Sequence, residues 1–175
     1  MNSLIRLFFT FSSVSFFLIV YLVQSKINPL ACLLGEYKWI TYLIYLSLPF
    51  LSTFISILLS KLLAKSSIQK INSIEPCNND FLANYLAFFF VALSINDTNG
   101  TTTFFVVFGL IVLFTFYSQV SYFNPVFLVF GFNFYYVHTN ENVKIMLISK
   151  KKLKDPQSFE PILAGRINDY TFMET

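Results

Sequence analysis

The chain has 175 residues, of which 55% are hydrophobic and only 12% are charged, and its formal net charge is +3. Soluble domains carry roughly 25% charged residues. This composition, with 23 phenylalanines and a mean hydropathy of +0.63, therefore excludes an ordinary soluble globular protein. The charges are clustered, and the long uncharged stretches between the clusters predict membrane-spanning helices.

The first three uncharged stretches predict one membrane span each. A bilayer core of about 30 Å needs about 20 helical residues, which fits spans at about 5–25 and 39–60. The first of these lacks a small-x-small cleavage site and is too long for a signal peptide. The third stretch, about 81–96, is short, but it can cross if Asp80 and Asp97 lie at the two interfaces.

The fourth uncharged stretch exceeds the length of a single span, so it crosses either once or twice. Pro125 favours one crossing, because proline tends to end the preceding helix and pushes the residue before it toward an extended conformation. The apolar residues after it would reach only about 18 Å as a helix. We therefore predict a fourth span at about 102–122, a four-helix transmembrane domain over 1–125, and an interfacial stretch and cytoplasmic tail over 126–175.

The distribution of lysine and arginine supports this topology, since these residues collect on the cytoplasmic side of short loops. With four spans and a cytoplasmic N-terminus, ten of the twelve basic residues lie inside, and only Lys26 and Lys38 lie outside. A fifth span after Pro125 would move the six basic residues of the tail outside. The pattern predicts a mainly α, multi-pass membrane protein with both termini in the cytoplasm.

The tail shows the period-two alternation that is typical of β-strands. Residues 133–139 and 143–148 alternate in this way, and residues 140–142 between them predict the turn of a β-hairpin. Further on, the sequence predicts a proline-opened helical turn that closes at Gly165, then a third strand around 167–172. The tail is therefore expected to be a small α+β unit.

The sequence contains neither a catalytic constellation nor a metal motif. Cys32 and Cys77 fall on opposite faces of the predicted membrane and match no metal spacing. His138 is the only histidine and has no ligand partner at a suitable spacing, so it is interpreted as structural. Phosphate loops, paired carboxylates and nucleophile motifs are missing. We therefore expect no enzyme activity, no metal and no cofactor.

Uncharged polar residues within the predicted spans have two interpretations. Ser52, Ser56 and Ser60 fall at i, i+4 and i+8 on one helix face, where they either pack closely against another helix or line a pore shared among protomers. Packing is the commoner role, because serine usually bonds back to its own helix. Asn84 and Gln119 are expected to bond between helices or to line the same pore. A small oligomeric channel therefore stays as the alternative function.

The tail contains a run of basic residues directly after its second predicted strand. It consists of Lys150, Lys151, Lys152 and Lys154, and Arg166 follows it. The run either serves as a topogenic signal, or contacts anionic headgroups or a partner protein. Direct nucleic-acid contact is not expected, because no aromatic residues are interleaved with the lysines.

The small size of the tail indicates that it does not stand alone. It is close to the limit of about 40 residues below which isolated domains need disulfides, metals or association. The tail has no cysteine. We expect it to gain stability from the inner loop at 61–80, from sister tails or from another protein, which makes it a docking element.

The four spans, the exit "NP...GFNFYYV", the run "VKIMLISKKKLK" and the terminal "RINDYTFMET" together resemble the KwaA family, the membrane subunits of the bacterial Kiwa anti-phage defence system. The resemblance covers the layout of the whole chain and is sharpest over 124–175. It implies an inner-membrane homo-oligomer, a tetramer, that detects phage-induced disturbance of the membrane. It also implies a cytosolic DNA-binding partner, KwaB, with which it suppresses phage DNA replication and late gene expression. It assigns no individual residue a role. The prediction is a sensor and scaffold that recruits a soluble effector through its basic tail.

Overall fold

The computed structural model describes residues 2–25, 38–68, 71–95, 100–118, 124–141, 143–156 and 161–174. The helices in these ranges are α1 (Asn2–Gln24), α2 (Lys38–Ser60), α3 (Phe81–Leu93), α4 (Gly100–Ser118) and the short α5 (Pro125–Val129). The strands are β1 (Lys65–Ile68), β2 (Ile71–Pro76), β3 (Asn133–Thr139), β4 (Lys144–Ser149), β5 (Ile162–Arg166) and β6 (Thr171–Glu174).

Three of the described helices are long and apolar enough to cross a membrane. They cover Ser3–Gln24, Trp39–Ser60 and Gly100–Ser118, close to three of the four predicted spans. The remaining predicted span, about 81–96, corresponds to α3, which has 13 residues. Thirteen helical residues reach only about 20 Å, less than the thickness of a bilayer core.

Helix α1 packs against α2, α3 and α4. A buried cluster joins Phe17 and Tyr21 of α1 to Ala92 of α3 and Phe104 of α4. At the end of α1, the Gln24 side-chain amide donates to the carbonyl of Leu93 over 3.0 Å. The C-terminal ends of α1 and α3 are therefore adjacent, and the two helices run in the same direction.

The six strands form one sheet in the order β1-β5-β6-β4-β3-β2. All neighbours are antiparallel except β4 and β6. The predicted hairpin is confirmed: β3 and β4 pair from Asn133 with Ser149 to His138 with Lys144. The expected contact with the inner loop is also confirmed, because β1 and β2 precede α3 and pair with strands of the tail. The sheet thus takes strands from both sides of the predicted boundary at residue 125.

The helical turn predicted to close at Gly165 is wrong at that position, since Gly165 lies in β5 and pairs with Lys65 of β1. The predicted strand around 167–172 begins late, at Thr171. Its first residues form a turn in which the Asn168 side chain accepts from the amide of Tyr170, as asparagine commonly does in turns. Gly165 lies in a strand because it pairs with a strand from a distant part of the chain. The last strand begins late because the residues before it form a turn.

The sheet is strongly curled. Only two residues separate the end of β1 at Ile68 from the start of β2 at Ile71, so these two Cα atoms lie within about 11 Å of each other. Six strands side by side in a flat sheet would place the two edge strands about 24 Å apart. The edge strands therefore approach each other at this corner, although they are farthest apart in the strand order.

One face of the sheet packs against the helices. Its buried cluster joins Ile5 and Phe9 of α1 to Phe134, Ile148 and Met173. The sheet is therefore placed at the N-terminal end of α1.

The opposite face has its own core. It includes Val137, Leu147 and Ala164, all fully buried. The segment after β4 covers part of this face, because the Tyr135 hydroxyl accepts from the amide of Leu153 and donates to the carbonyl of Lys151, each over 3.2 Å. Both faces of the sheet thus carry buried apolar side chains.

Candidate functional site at the junction of helices and sheet

The side chain of Asn124 joins the helices to the segment that leads into the sheet. It is fully buried, and its Nδ2 lies 2.7 Å from Ser12 Oγ, 2.8 Å from Thr53 Oγ1 and 3.0 Å from the Ser12 carbonyl oxygen. Its Oδ1 accepts from the amide of Val126 over 2.9 Å. The Ser12 and Thr53 hydroxyls also lie 2.9 Å apart. One amide therefore links α1, α2 and the start of α5.

The local sequence explains why an asparagine can hold this position. Asn124 is extended, with φ −142° and ψ 120°, as a residue before proline should be. Pro125 then opens α5 at a position where a missing amide hydrogen costs nothing, while the Asn124 side chain caps the helix. We name this group of Asn124, Ser12 and Thr53 the asparagine junction.

The asparagine junction lies deep among the helices, since Ser12 is near the middle of α1. Helix α5 follows it and packs between α1 and α2: the Phe127 ring stacks on Phe9 at 6.0 Å between centroids, and the Phe130 ring lies 6.4 Å from that of Phe54. The stretch that the sequence placed at the interface therefore begins inside the helical layer and descends toward the sheet.

Arg6 fixes the sheet-proximal ends of α1 and α4 to each other. Its guanidinium donates to the carbonyl of Phe116 over 3.1 Å and lies 5.0 Å from the centroid of the same ring. A cation at the last carbonyls of a helix is favourable because the backbone dipoles concentrate negative charge there. The sequence indicated Arg6 only as a cytoplasmic charge.

The serine stripe on α2 is covered within a single chain. Ser52, Ser56 and Ser60 are all buried, and their hydroxyls donate to carbonyls of their own helix, those of Pro49, Ser52 and Ile57, over 2.7–3.0 Å. This placement favours helix packing over pore lining, and the choice between the two stays a prediction.

The other two polar residues predicted within the spans cannot be placed in the same way. Asn84 lies in α3, but its side chain is outside the described part, and Gln119 is outside the described residues. The sequence reasoning missed Asn124 as a bonding group and considered it only as the neighbour of Pro125. It also missed Tyr85, whose hydroxyl donates to the carbonyl of Ser13 over 2.8 Å. The signal that could have identified Asn124 is the presence of an asparagine within an apolar run.

The structure divides the predicted basic residues into separate places. Lys150 and Lys151 line a cavity at the end of α2, whereas Arg166 lines a different one and pairs with Asp169. Lys152 and Lys154 are exposed beyond β4. The basic run is therefore a group of lysines with different neighbours and not one continuous patch with Arg166.

Cys77 is a buried thiol that follows β2. Burial, and then the nearby Asp80 carboxylate, raise the pKa of Cys77 to about 12, so the reactive thiolate is scarce at neutral pH. Across the described ranges, no group of three or more histidine, cysteine or carboxylate side chains is arranged to hold a metal ion. Cys32 is outside these ranges, and His138 lies in β3 opposite Lys144.

Comparison with known protein families identifies a match over most of the chain. No curated protein sequence and no solved structure matches the chain. The family model described as anti-phage protein KwaA matches residues 5–173, from the first turn of α1 to the last strand of the sheet. The match covers the helices, the asparagine junction and the sheet together, and on this basis the chain belongs to the KwaA family of anti-phage proteins.

Proposed function

We propose that this protein is a membrane-embedded sensor and scaffold of anti-phage defence that recruits a cytosolic effector to its sheet. The observation that carries the proposal is the single sheet at one end of the helices, built from both the inner loop and the tail. A cytosolic subunit resembling KwaB is the proposed partner. The proposal assigns no catalytic step to this chain, whose effect on the phage is exerted through the partner.

Four membrane crossings are the topology that fits this sheet. Strands β1 and β2 precede α3, and β3 to β6 follow α4. Because all six lie in one sheet, the intervening chain must leave one side of the membrane and return to it. In this topology α4, which is long enough to cross, supplies one crossing and α3 supplies the other. The Gln24 contact with Leu93 puts the end of α3 beside the far end of α1, and local thinning of the bilayer can offset its shortness.

This topology places the sheet and both termini in the cytoplasm, at the inner membrane. Reporter fusions test it at two positions. An alkaline phosphatase inserted after Asp97 should be active, because it lies outside, and one fused after Thr175 should be inactive. Activity at Thr175, or equal activity at both positions, would contradict the proposed crossings and would remove the cytoplasmic docking role.

Sensing is proposed to act through the asparagine junction. Its hydrogen bonds require the middle turns of α1 and α2 to remain close. A change in bilayer thickness or tension that separates these helices would break the bonds and release α5, which leads directly into β3. A membrane disturbance would thereby alter the position of the sheet.

Recruitment is proposed to use Lys152 and Lys154, which are exposed beyond β4. They offer positive charge to an acidic surface of the partner, a kind of complementarity that acts mainly on association rate and specificity. Oligomerisation, to a tetramer by resemblance, is assigned to outward apolar faces such as that of α4, where Phe105 and Phe114 are exposed.

The recruitment experiment compares two double variants in cells that also express the proposed partner, a soluble KwaB-type protein. Lys152→Glu with Lys154→Glu should lower recovery of that protein with the membrane fraction at least tenfold, since a close charge pair becomes a repulsive one. Lys152→Arg with Lys154→Arg keeps the charge and should recover it as the wild type does. Equal recovery with both variants would reject docking at these lysines.

A further inference from the structure

A cavity of about 390 Å³ opens where α2 ends and the sheet begins. Ile57 and Ser60 line it from α2, and Phe132 and Met173 line it from the sheet side. Lys61, Lys150, Lys151 and Glu174 supply its charged groups. One part of the cavity is thus apolar and another part is strongly polar.

The lysines of this cavity differ in what they already contact. The Lys151 ammonium lies 3.3 Å from a Glu174 carboxylate oxygen, and Glu174 is also bonded to the Ser149 hydroxyl. The Lys150 ammonium lies 4.8 Å from the centroid of the Phe132 ring, a cation–π arrangement. In the described part of the chain, neither Lys61 nor Lys150 has a carboxylate within 4.0 Å. These two ammonium groups are available to an anion.

The position of the cavity along α2 indicates what kind of anion can reach it. Ser60 is the last residue of α2, and the apolar stretch that can cross a membrane ends there. Lys61 follows at once, and a lysine at this position places its ammonium at headgroup level. Ile57 lies one turn earlier, on the side of the hydrocarbon. The charged lining therefore lies at the level of the lipid headgroups, and the apolar lining lies at the level of the acyl chains. This arrangement matches the two parts of a phospholipid.

We propose that this cavity binds one anionic phospholipid, with its phosphate between Lys61 and Lys150 and the start of an acyl chain against Ile57. Glu174 also lines the cavity and opposes a second negative charge there, so a singly charged headgroup such as phosphatidylglycerol fits best. The lipid would bridge α2 and the sheet, and it would contact Phe132 and Met173 on the sheet side. The inference rests on the membrane placement in the proposed function, but not on recruitment of a partner.

The test uses the purified full-length chain in neutral detergent, with retained lipid counted by native mass spectrometry. Phosphatidylglycerol and phosphatidylcholine of the same chain length are titrated separately. Phosphatidylglycerol should bind roughly 25-fold more tightly, given that each of the two lysines near the headgroup contributes on the order of a fivefold effect. Lys61→Gln with Lys150→Gln should remove most of that preference.

The matched control is Lys152→Gln with Lys154→Gln, which removes the same charge from the same basic region outside the cavity. It should keep the preference within about twofold of wild type. Equal losses in the two double variants would show diffuse charge attraction and overturn the site. Equal binding of the two lipids by wild type would overturn it as well. All four lysines are exposed, and an unchanged unfolding midpoint verifies that each variant is folded.

A competition arm separates a lipid from a free phosphate. Excess inorganic phosphate should leave bound phosphatidylglycerol in place, because it cannot replace the acyl contact at Ile57. Complete displacement would identify a free-anion site and contradict the proposal. The recruitment test changes Lys152 and Lys154, which serve here as the control. Loss of recruitment with lipid binding intact, or the reverse, therefore separates a failure of one proposal from a failure of the other.

Discussion

The helical layer and the sheet differ in how many large apolar side chains they expose. In the helices, large apolar residues point outward: Phe90 is 68% exposed and Phe105 is 67% exposed. In the sheet, Val137 and Leu147 are fully buried. A helix satisfies its own backbone and can expose apolar side chains to lipid, whereas a sheet in water must bury them. The two regions are built for different solvents within one chain.

The two regions also differ in what holds them together. Burial of apolar surface stabilises the sheet, but lipid gives the helices little such driving force, so close packing and interhelical hydrogen bonds hold them instead. Most buried hydroxyls of α2 bond to their own helix, as Ser52 and Ser56 do. Asn124 bonds between elements instead, as Arg6 and Tyr85 also do. Substitutions at the contact between the regions should therefore cost more than substitutions within either one.

The largest effect is expected for Asn124→Leu. This change removes the cap on α5 and the bonds to Ser12 and Thr53, and it forces a branched apolar side chain into a fully buried site. We expect the free energy of unfolding to fall by about 3 kcal/mol, from the lost cap, the lost interhelical bonds and overpacking. Denaturant titration in mild detergent measures it, and protection against phage should be lost in cells.

Asn140→Leu is the matched control for this substitution, because Asn140 lies exposed in the turn between β3 and β4. It should change the free energy of unfolding by less than about 0.5 kcal/mol. A similar cost at both asparagines would show that the effect is not specific to the asparagine junction. Full phage protection by a folded Asn124→Leu variant would remove the asparagine junction from the sensing proposal.

Gly165→Ala tests the close approach of the sheet to α2. A Cβ at this position would lie 3.1 Å from the Ser60 carbonyl oxygen and 3.1 Å from Leu63 Cβ. Neither atom is the end of a flexible side chain, so we expect a cost of about 2 kcal/mol in the free energy of unfolding.

Gly109→Ala provides the same chemical change in the other region. A Cβ at Gly109 meets nothing within 4 Å in the described part of the chain, and alanine favours a helix by about 1 kcal/mol over glycine. The two substitutions should therefore act with opposite signs. Destabilisation by Gly109→Ala in the assembled protein, but not in the monomer, would place a second copy against this face of α4.

The sequence predicted three of the four spans well, because lipid imposes a simple rule on length and charge. The spans at 5–25 and 39–60 agree with α1 and α2 to within a few residues. The hairpin at 133–149 was also predictable, since its strands alternate and its turn is short. These are local features, and local residues determine them.

The pairing of distant segments was not predictable from local patterns. Residues 65–68 and 71–76 showed no strong alternation, and they became edge strands because tail strands offered them partners. Gly165 suggested a helix end, yet glycine is needed there because α2 passes close by. The asparagine junction depends on Ser12, Thr53 and Asn124 meeting across more than a hundred residues, and nothing in the spacing of those residues indicates such a contact.

Ser56→Leu separates packing from pore lining within the helical layer. Ser56 is fully buried, so a leucine should overpack that face of α2 and lower the free energy of unfolding by about 1.5 kcal/mol. Ser47 is exposed on the same helix, and Ser47→Leu should be nearly neutral. Planar bilayer recordings accompany the titration. A current in the wild type that Ser56→Leu blocks without loss of stability would favour the channel over the scaffold.

The smallest effect is expected at the surface ion pair between Lys151 and Glu174. The two groups lie 3.3 Å apart, with 58% of the lysine side chain and 18% of the glutamate side chain exposed, and such a pair contributes little because water and salt screen its exposed partner. Lys151→Gln should therefore lower the free energy of unfolding by only about 0.5 kcal/mol, with a smaller difference at high salt. A cost comparable to that of Gly165→Ala would mean that charge, and not close packing, fixes the end of β6 at the cavity. In that case the ion pair would contribute as much to stability as the close contact at Gly165, and solvent screening would not weaken it at this corner of the sheet.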